Sequence, residues 1–317
     1  MLTPSTLKRE DTIGIVAPAR SIEKEEIEPA IKMINDWGLH AITGKNLFRK
    51  HHQFAGTDRE RAEDFQQMLD DDSIKAILCA RGGYGTIRTL EHLNFKKFLN
   101  HPKWIIGFSD ITAIHSYINT KLGIKTLHAQ MAVNFPDTGK ENQSLKLLKE
   151  TLFGRPLAYS WETNHETTKE KEIRGQLTGG NLSVLYSLTG TPFDISPDGK
   201  ILFLEDLDEY LYHVDRMMMN FKLSGKLDRI KALMIGGMTE MNDNKTPFGK
   251  TAYEIMHDIS ENFDFPMLFD CPAGHIENNL PLIMGGNIHI RQKEKTVSVQ
   301  FDSYPNNSRI IPVSDSD

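Results

Sequence analysis

The residues best suited to catalysis surround Ser109, where an apolar segment ends in a glycine and a serine. The run Trp104–Thr112 reads WIIGFSDIT, which predicts a strand that passes through Gly107 into a helix beginning near Ser109. Such a turn lifts a serine hydroxyl above the carboxyl edge of a sheet and directs free backbone amides toward it. A serine nucleophile needs those amides, because they stabilise the oxyanion of a tetrahedral intermediate. On these residues alone, the alternative is that Ser109 or Asp110 only caps the helix.

Two segments in the second half of the chain end in side chains able to activate a serine. ILFLEDLDE predicts a strand that runs into a group of carboxylates beginning with Glu205, and MLFDCPAGH ends at His275, just after a proline and a glycine. A histidine can take the proton of a serine, and a carboxylate can orient that histidine. Taken singly, Glu205 is equally well explained as a solvated acid at the end of a strand, and His275 as an ordinary loop histidine. Since α/β proteins bind ligands at the carboxyl ends of strands, the combination with Ser109 favours a catalytic site.

A glycine-rich turn, RGGYG over residues 81–85, follows another predicted strand, KAILCA. Its backbone can supply a second N–H donor near Ser109. It lacks both the lysine of a phosphate-binding P-loop and the spacing of a dinucleotide fingerprint. A glycine turn without a chemical role remains the alternative.

These segments belong to a chain in which predicted strands and helices alternate. The strands TIGIVAPA, HAITGKN, KAILCA, KWIIGF and IKTLHA are separated by helical segments, including one over TIRTLEHLNFKKFL, which predicts a parallel sheet covered on both faces. NHETTKEKE is too polar to be expected to pack, and the chain ends in a predicted hairpin of IMGGNIHIRQ and KTVSVQFD joined by KEK. We predict an α/β protein with an N-terminal domain over 1–140, a linker over 141–172 and a C-terminal domain over 173–317.

Composition and charge exclude several classes of function. The net charge is −6 and basic residues are spread along the chain, whereas nucleic-acid binding requires a clustered positive surface. The first residues contain no apolar core of signal-peptide length and no run approaches a membrane span, so we expect a cytoplasmic protein. Cys79 and Cys271 lie in apolar runs and are interpreted as buried small side chains. No histidine has metal-ligand spacing, so we expect neither a metal nor a cofactor.

Several blocks of this sequence, in this order, resemble the LD-carboxypeptidases (muramoyltetrapeptide carboxypeptidases) and the related microcin C self-immunity peptidases. The resemblance covers nearly the whole chain and rests on IGIVAPA, ARGGYGTIRTL, PKWIIGFSDITAIH, GGNLSVLYSLTGTP, LFLEDLDE with the following YHVDRM, and PAGHIENNLPLIMGG. It implies a flavodoxin-like N-terminal domain, similar to that of class I glutamine amidotransferases, and a C-terminal swivelling β/α domain.

The resemblance also implies a role for each matching residue. It makes Ser109 the nucleophile, His275 the base and Glu205 the residue that orients the base. The implied oxyanion donors are the backbone amides of Asp110 and Gly83. The implied reaction is cleavage of the L,D-peptide bond of murein-derived tetrapeptides with release of terminal D-alanine, by a homodimer that takes part in peptidoglycan recycling.

Substrate contacts are less constrained by the sequence. A free carboxyl terminus needs a cationic or amide-rich spot near the nucleophile, and the candidates are Arg81 and Tyr84 in the glycine turn and Arg216 in YHVDRM. Both arginines have an alternative, purely structural role. After strand IKTLH the family usually reads HGPM, whereas this chain reads HAQM over 128–131, so the pocket wall there is undetermined.

The sequence leaves two other functions open. A microcin C-type self-immunity peptidase would cleave a peptidyl-nucleotide, and those relatives carry a longer insertion with aromatic residues between nucleophile and glutamate. Here 96 residues separate Ser109 from Glu205 and Trp161 is the only tryptophan between them, which favours the carboxypeptidase. The other alternative is a non-catalytic peptide-binding protein, against which the intact set of Ser109, Glu205 and His275 argues.

Overall fold

The computed structural model describes residues 1–302 and 311–312, which separate into two units. Unit 1 comprises Met1–Arg155 and Leu280–Met284, and unit 2 comprises Pro156–Asn279 and the described residues from Gly285 onward. Within the described residues, no helix has both the length and the apolar character required to cross a bilayer.

Unit 1 is built on a sheet with the strand order β10-β5-β4-β3-β1-β2. Strands β1 to β5 are parallel, as predicted, and β10 is antiparallel to β5. Its strands are β1 (Thr12–Val16), β2 (His40–Thr43), β3 (Ile74–Cys79), β4 (Trp104–Gly107), β5 (Thr126–His128) and β10 (Leu282–Met284). Its helices are α1 (Lys24–Asp36), α2 (Asp58–Asp70), α3 (Thr86–Leu90), α4 (Lys96–Asn100), α5 (Thr112–Tyr117) and α6 (Gln143–Leu152). Strands β1, β3 and β4 are almost entirely buried, as expected of parallel strands covered on both faces.

The single helix predicted over TIRTLEHLNFKKFL is instead two short helices, α3 and α4. The side chain of Gln66 accepts a hydrogen bond from the backbone N–H of Asn94 at 2.7 Å and donates one to its carbonyl at 2.9 Å. A side chain that binds both backbone groups of a residue replaces the bonds that a helix would make. The prediction of one helix was therefore wrong because of a contact made by a distant residue.

Unit 2 is built on a sheet with the order β11-β6-β7-β8-β9, in which β6 to β9 are parallel and β11 is antiparallel to β6. Its strands are β6 (Ala158–Asn181), β7 (Ile201–Leu207), β8 (Ala232–Thr239), β9 (Met267–Leu268), β11 (Asn287–Phe301) and β12 (Ile311–Pro312), the last of which pairs with β6. Its helices are α7 (Leu182–Leu188), α8 (Leu211–Leu223) and α9 (Ala252–Ser260). Met217 and Met218 on α8 are fully buried in the apolar core of this unit.

Two segments of the second half differ from the sequence-based expectation. The predicted linker over 141–172 contains α6, in agreement with a short helix predicted over SLKLLKETLFG, but the segment NHETTKEKE, which was not expected to pack, lies in β6 and pairs with β11. The predicted C-terminal hairpin was wrong. Its first residues form β10 in the sheet of unit 1, and β11 continues through KEK without a turn. Strand β6 pairs with both ends of β11, over Asn287–Gln292 and Thr296–Gln300, with register shifts on either side of Glu294. Both ends of β11 therefore have the same backbone partner, and the two do not pair with each other as a hairpin would.

Candidate active site

Ser109 lies at the first residue after the extended Phe108, where β4 gives way to a short 3₁₀ turn and α5. Its φ of +62° is in the left-handed region, which is uncommon for a residue other than glycine, and backbone strain of this kind recurs at active sites. Gly107, two residues earlier, permits the turn. A Cβ atom there would lie 2.9 Å from Ile111 Cγ1 and 3.2 Å from Cys79 Cβ. The structure therefore has the strand-to-helix turn that the sequence predicted, and the left-handed φ of Ser109 adds backbone strain that was not predicted.

The glycine turn after β3 packs against this serine. A Cβ atom on Gly82 would lie 3.0 Å from Ser109 Cβ, 3.1 Å from Ser109 Oγ and 3.4 Å from the backbone nitrogen of Asp110. The next glycine, Gly83, has a φ of +108°, which disfavours any side chain. Gly82 thus brings its backbone close to the serine with no intervening side chain, and Gly83 is the residue that follows it.

The side chain of Asp110 joins the glycine turn to the serine turn. It is buried, and its Oδ2 accepts a hydrogen bond from the backbone N–H of Thr86 at 2.8 Å. Burial raises the pKa of Asp110, although its hydrogen bonds with Thr86 and Gly85 and the positive charge of Arg61 oppose that rise. From the sequence, Asp110 was predicted only as a helix cap or as a backbone donor. Its carboxylate contact was missed because it links segments 24 residues apart.

A buried arginine, Arg61, holds the backbone around the glycine turn. Arg61 donates from Nε to the carbonyl of Pro18 at 3.0 Å and from Nη1 to the carbonyl of Gly56 at 2.7 Å. Nη2 donates to Asp58 Oδ1 at 2.6 Å and lies 3.5 Å from the carbonyl of Gly85. Because an arginine presents five donors in a rigid plane, this one residue fixes several loop carbonyls together.

In unit 2, Glu205 and His275 form a hydrogen-bonded pair. Glu205 is fully buried on β7, and its Oε2 lies 2.7 Å from His275 Nδ1 and accepts the backbone N–H of His275 at 3.1 Å. The carbonyl of His275 accepts from Thr239 Oγ1 at 2.9 Å. Burial by itself lowers the pKa of His275, but the hydrogen bond and charge of Glu205 outweigh it, so the net pKa is raised. A carboxylate partner favours a proton on Nδ1 and thereby leaves the lone pair on Nε2.

The loop that carries His275 is shaped by Gly274. This residue has a φ of +109°, and a Cβ atom on it would lie 2.6 Å from Glu205 Oε2. Its N–H donates to Asn279 Oδ1 at 2.8 Å, and the carbonyl of the preceding Ala273 accepts from Gly237 N–H at 3.0 Å. The glycine therefore allows the histidine loop to touch the glutamate.

A second buried acid lies next to the pair. Burial, followed by the negative charge of Glu205, raises the pKa of Asp206 to about 7. Its oxygens accept hydrogen bonds from Asn181 Nδ2 at 2.9 Å, Ser183 N at 2.8 Å and Leu207 N at 2.9 Å. No separate role was predicted for Asp206 from the sequence. The GGNLS block, which contains its partners Asn181 and Ser183, was the sequence feature that could have indicated one.

The proposed substrate-binding side chains have different surroundings. Arg81 is 3.5 Å from Glu26 Oε1 and so is paired within unit 1. Tyr84 is exposed in the glycine turn. Arg216 is exposed on α8 of unit 2, with its guanidinium over the ring of Tyr212 at 5.4 Å.

The HAQM segment, 128–131, is buried at the end of β5. The N–H of Ala129 donates to the carbonyl of Gly107 at 3.2 Å, and Gly107 lies two residues before Ser109 in the chain. The segment that departs from the family pattern is therefore hydrogen-bonded to the strand that carries the serine.

Metal and thiol chemistry receive no support from the side chains that can be described. Over residues 1–302 and 311–312, no group of three or more His, Cys, Asp or Glu residues is arranged to hold a metal ion. Cys79 and Cys271 are buried, and burial raises the pKa of both thiols.

Comparison with known proteins gives consistent matches over both units. Residues 13–129 match the LD-carboxypeptidase N-terminal domain, and residues 174–290 match the LD-carboxypeptidase C-terminal domain. The probable murein peptide carboxypeptidase of Bacillus subtilis is 32% identical over 303 residues, covering 94% of each chain. The microcin C7 self-immunity protein MccF of Escherichia coli is 24% identical over 331 residues, covering 92% of this chain and 94% of its own. The crystal structure of muramoyltetrapeptide carboxypeptidase from Oxalobacter formigenes has a TM-score of 0.82 at 26% identity, covering 93% of this chain and 100% of that one.

Proposed function

Because this chain belongs to the LD-carboxypeptidase family, we propose that it is a serine peptidase that removes terminal D-alanine from murein-derived tetrapeptides. The bond cleaved is the L,D-peptide bond between the third residue and the D-alanine. Ser109 is the nucleophile, His275 the general base and Glu205 the residue that orients the base. We further propose that the enzyme acts in the cytoplasm, as a homodimer, in peptidoglycan recycling.

The observation that carries this proposal is the contact between Glu205 Oε2 and His275 Nδ1 at 2.7 Å. A buried carboxylate bonded to Nδ1 selects the tautomer in which Nε2 accepts a proton, and it stabilises the imidazolium that results. The second bond, from the backbone N–H of His275 to the same oxygen, fixes the loop as well as the ring.

In the proposed reaction, His275 Nε2 takes the hydroxyl proton of Ser109 as Ser109 Oγ attacks the scissile carbonyl. The tetrahedral intermediate collapses when the C–N bond breaks, and His275 gives the proton to the departing amine of D-alanine. Water then attacks the acyl-serine ester, again with His275 as base. The tripeptide carboxylate leaves and Ser109 recovers its proton.

We propose that backbone amides of Asp110 and Gly83 stabilise the oxyanion. The support is the closeness of the glycine turn to the serine turn. A Cβ atom on Gly82 would lie 3.1 Å from Ser109 Oγ and 3.4 Å from the backbone nitrogen of Asp110, and Gly83 is the next residue. Amides preorganised in this way contribute about 2.7–4 kcal/mol each to transition-state stabilisation in serine peptidases.

The finer description of the fold is also a proposal. The parallel order β2-β1-β3-β4-β5 in unit 1 is that of flavodoxin-like sheets, which supports the N-terminal description and its likeness to class I glutamine amidotransferases. The description of unit 2 as a swivelling β/α domain rests on the family resemblance.

The 24% identity to MccF makes cleavage of a peptidyl-nucleotide the second candidate function. The surroundings of Trp161 argue against it. This residue, the only tryptophan between Ser109 and Glu205, is 3% exposed and donates its indole N–H to the carbonyl of Phe269 at 3.0 Å. It therefore presents no ring face for a nucleotide base.

The test is incubation of the full chain with three compounds, followed by mass spectrometry. They are a murein tetrapeptide ending in D-alanine, its L-alanine epimer and the nucleotide conjugate aspartyl sulfamoyl adenosine. We expect loss of alanine from the first alone. Cleavage of the nucleotide conjugate alone would support the microcin-type function, and binding of the tetrapeptide without cleavage would support a non-catalytic peptide-binding protein.

A further inference from the structure

Arg20 lies beside the glycine turn, residues 81–85, in unit 1. It follows the carboxyl end of β1, and β1 is the neighbour of β3, from which the glycine turn begins. The N–H of Ala80 donates to the carbonyl of Val16 at 2.7 Å, and the N–H of Arg20 contacts the carbonyl of Gly82 at 3.4 Å. The two segments therefore stay together beyond the ends of their strands.

The stem of Arg20 packs across Gly83. A Cβ atom on Gly83 would lie 2.1 Å from Arg20 Cδ and 2.5 Å from Arg20 Cγ, so only glycine is compatible with this contact. The charged end of the side chain remains exposed. An arginine whose aliphatic stem is held on a surface presents its guanidinium at a defined place.

The same turn connects Arg20 with the nucleophile. A Cβ atom on Gly82 would lie 3.1 Å from Ser109 Oγ, and a Cβ atom on Gly83, one residue later, would overlap the Arg20 stem. In the substrate, the terminal carboxylate likewise belongs to the residue directly after the carbonyl that the serine attacks, and successive Cα atoms are about 3.8 Å apart. Arg20 is therefore placed on the turn one residue beyond the position next to the serine.

Arg20 also differs in charge pairing from its arginine neighbours. Arg81 is paired with Glu26, and Arg88 forms an ion pair with Asp58 at 2.6 Å. Among the side chains that the structure describes, the guanidinium of Arg20 has no ion-pair and no hydrogen-bond partner. Its planar set of donors is therefore available to an anion from outside the chain.

We infer that Arg20 binds the free terminal carboxylate of the peptide and makes the enzyme a carboxypeptidase rather than an endopeptidase. The inference rests on the proposed function, because it names the group that Ser109-dependent cleavage would select. A guanidinium matches a carboxylate with two parallel N–H···O bonds, which a lysine cannot reproduce.

The test compares two substrates, the tetrapeptide with a free D-alanine carboxylate and its C-terminal amide, in the full chain. The variants are Arg20→Met, Arg20→Lys, Arg81→Met at the other arginine of this turn and, as a control that removes an arginine elsewhere in unit 1, Arg88→Met. We measure kcat and KM for both peptides. Charge-assisted contacts change binding about ten- to a hundredfold, so the wild type should prefer the acid by that factor in kcat/KM.

Arg20→Met should bring the acid-to-amide ratio near one, mainly through KM for the acid, while amide cleavage reports that the fold is intact. Arg20→Lys should recover part of the preference, and Arg88→Met should retain it in full. An undiminished preference in Arg20→Met would overturn the inference and leave the proposed function standing. Loss of the preference in Arg81→Met instead would also overturn it. Failure of the wild type to cleave either peptide would overturn both proposals.

Discussion

Gly274→Ala tests whether the Glu205–His275 pair depends on the backbone beside it. The added methyl group would lie 2.6 Å from Glu205 Oε2, 2.7 Å from Glu205 Cβ and 2.8 Å from Glu205 Cγ. Glu205 is fully buried on a central strand, so it has little room to withdraw. We expect the histidine loop to shift and the 2.7 Å bond to lengthen.

The expected loss in the free energy of unfolding has two parts. A side chain at a φ of +109° costs about 1–2 kcal/mol in backbone strain. A weakened bond to a buried carboxylate costs about 1–3 kcal/mol more. The sum predicts a loss of about 2–5 kcal/mol in the free energy of unfolding. A displacement on the order of 1 Å at a catalytic base predicts about a hundredfold loss in kcat.

The assay is urea unfolding combined with kcat on the tetrapeptide, and Gly249→Ala is the matched control. Gly249 is also in unit 2 and has a φ of +86°, but no described atom lies within 4 Å of a Cβ placed there. Gly249→Ala should therefore lose the stability to urea that backbone strain costs, but it should keep the kcat of the wild type. Equal stability and equal kcat in the two variants would refute the argument that Gly274 positions the pair.

The remaining predictions concern the charged groups of the two units. The rate should rise with pH through the pKa of His275, because the base must be neutral, and the midpoint should lie above the ordinary histidine value of about 6.5. Glu205→Gln should lower kcat by several orders of magnitude and move that midpoint down; an unmoved midpoint would contradict the pairing. Asp110→Asn should lower kcat at least tenfold, whereas Asp64→Asn, at a buried acid that accepts another backbone N–H at 2.8 Å, should reduce only stability to urea. EDTA and iodoacetamide should leave kcat unchanged, and metal-reversible loss with the chelator would contradict this.

Features encoded within short segments were accessible from the sequence. The run around Ser109 contains the strand, the glycine and the helix start that together make the turn, so its form could be predicted without knowledge of distant residues. The alternation of strands and helices predicted the parallel sheet of unit 1, and the ordered blocks predicted the family, which the comparisons confirm.

Features that depend on distant partners were not accessible. The break between α3 and α4 is set by Gln66, and the path of β11 is set by its pairing with β6. The same holds for Arg20, since its contact with Gly83 arises only when β1 and β3 are neighbours. Nothing in the local pattern distinguishes that arginine from any other exposed one.

The most direct test of the central claim is release of D-alanine from the tetrapeptide by Ser109→Ala, measured beside the wild type at equal concentration. The substitution removes the attacking oxygen and keeps the Cβ that packs against Gly82, so the thermal midpoint should be close to that of the wild type. Loss of a triad nucleophile lowers kcat by a factor of about 10⁴–10⁶, and we expect D-alanine release by the variant to fall by a factor in that range. Release of D-alanine within tenfold of the wild-type rate by the folded variant would contradict the assignment of Ser109 as the nucleophile.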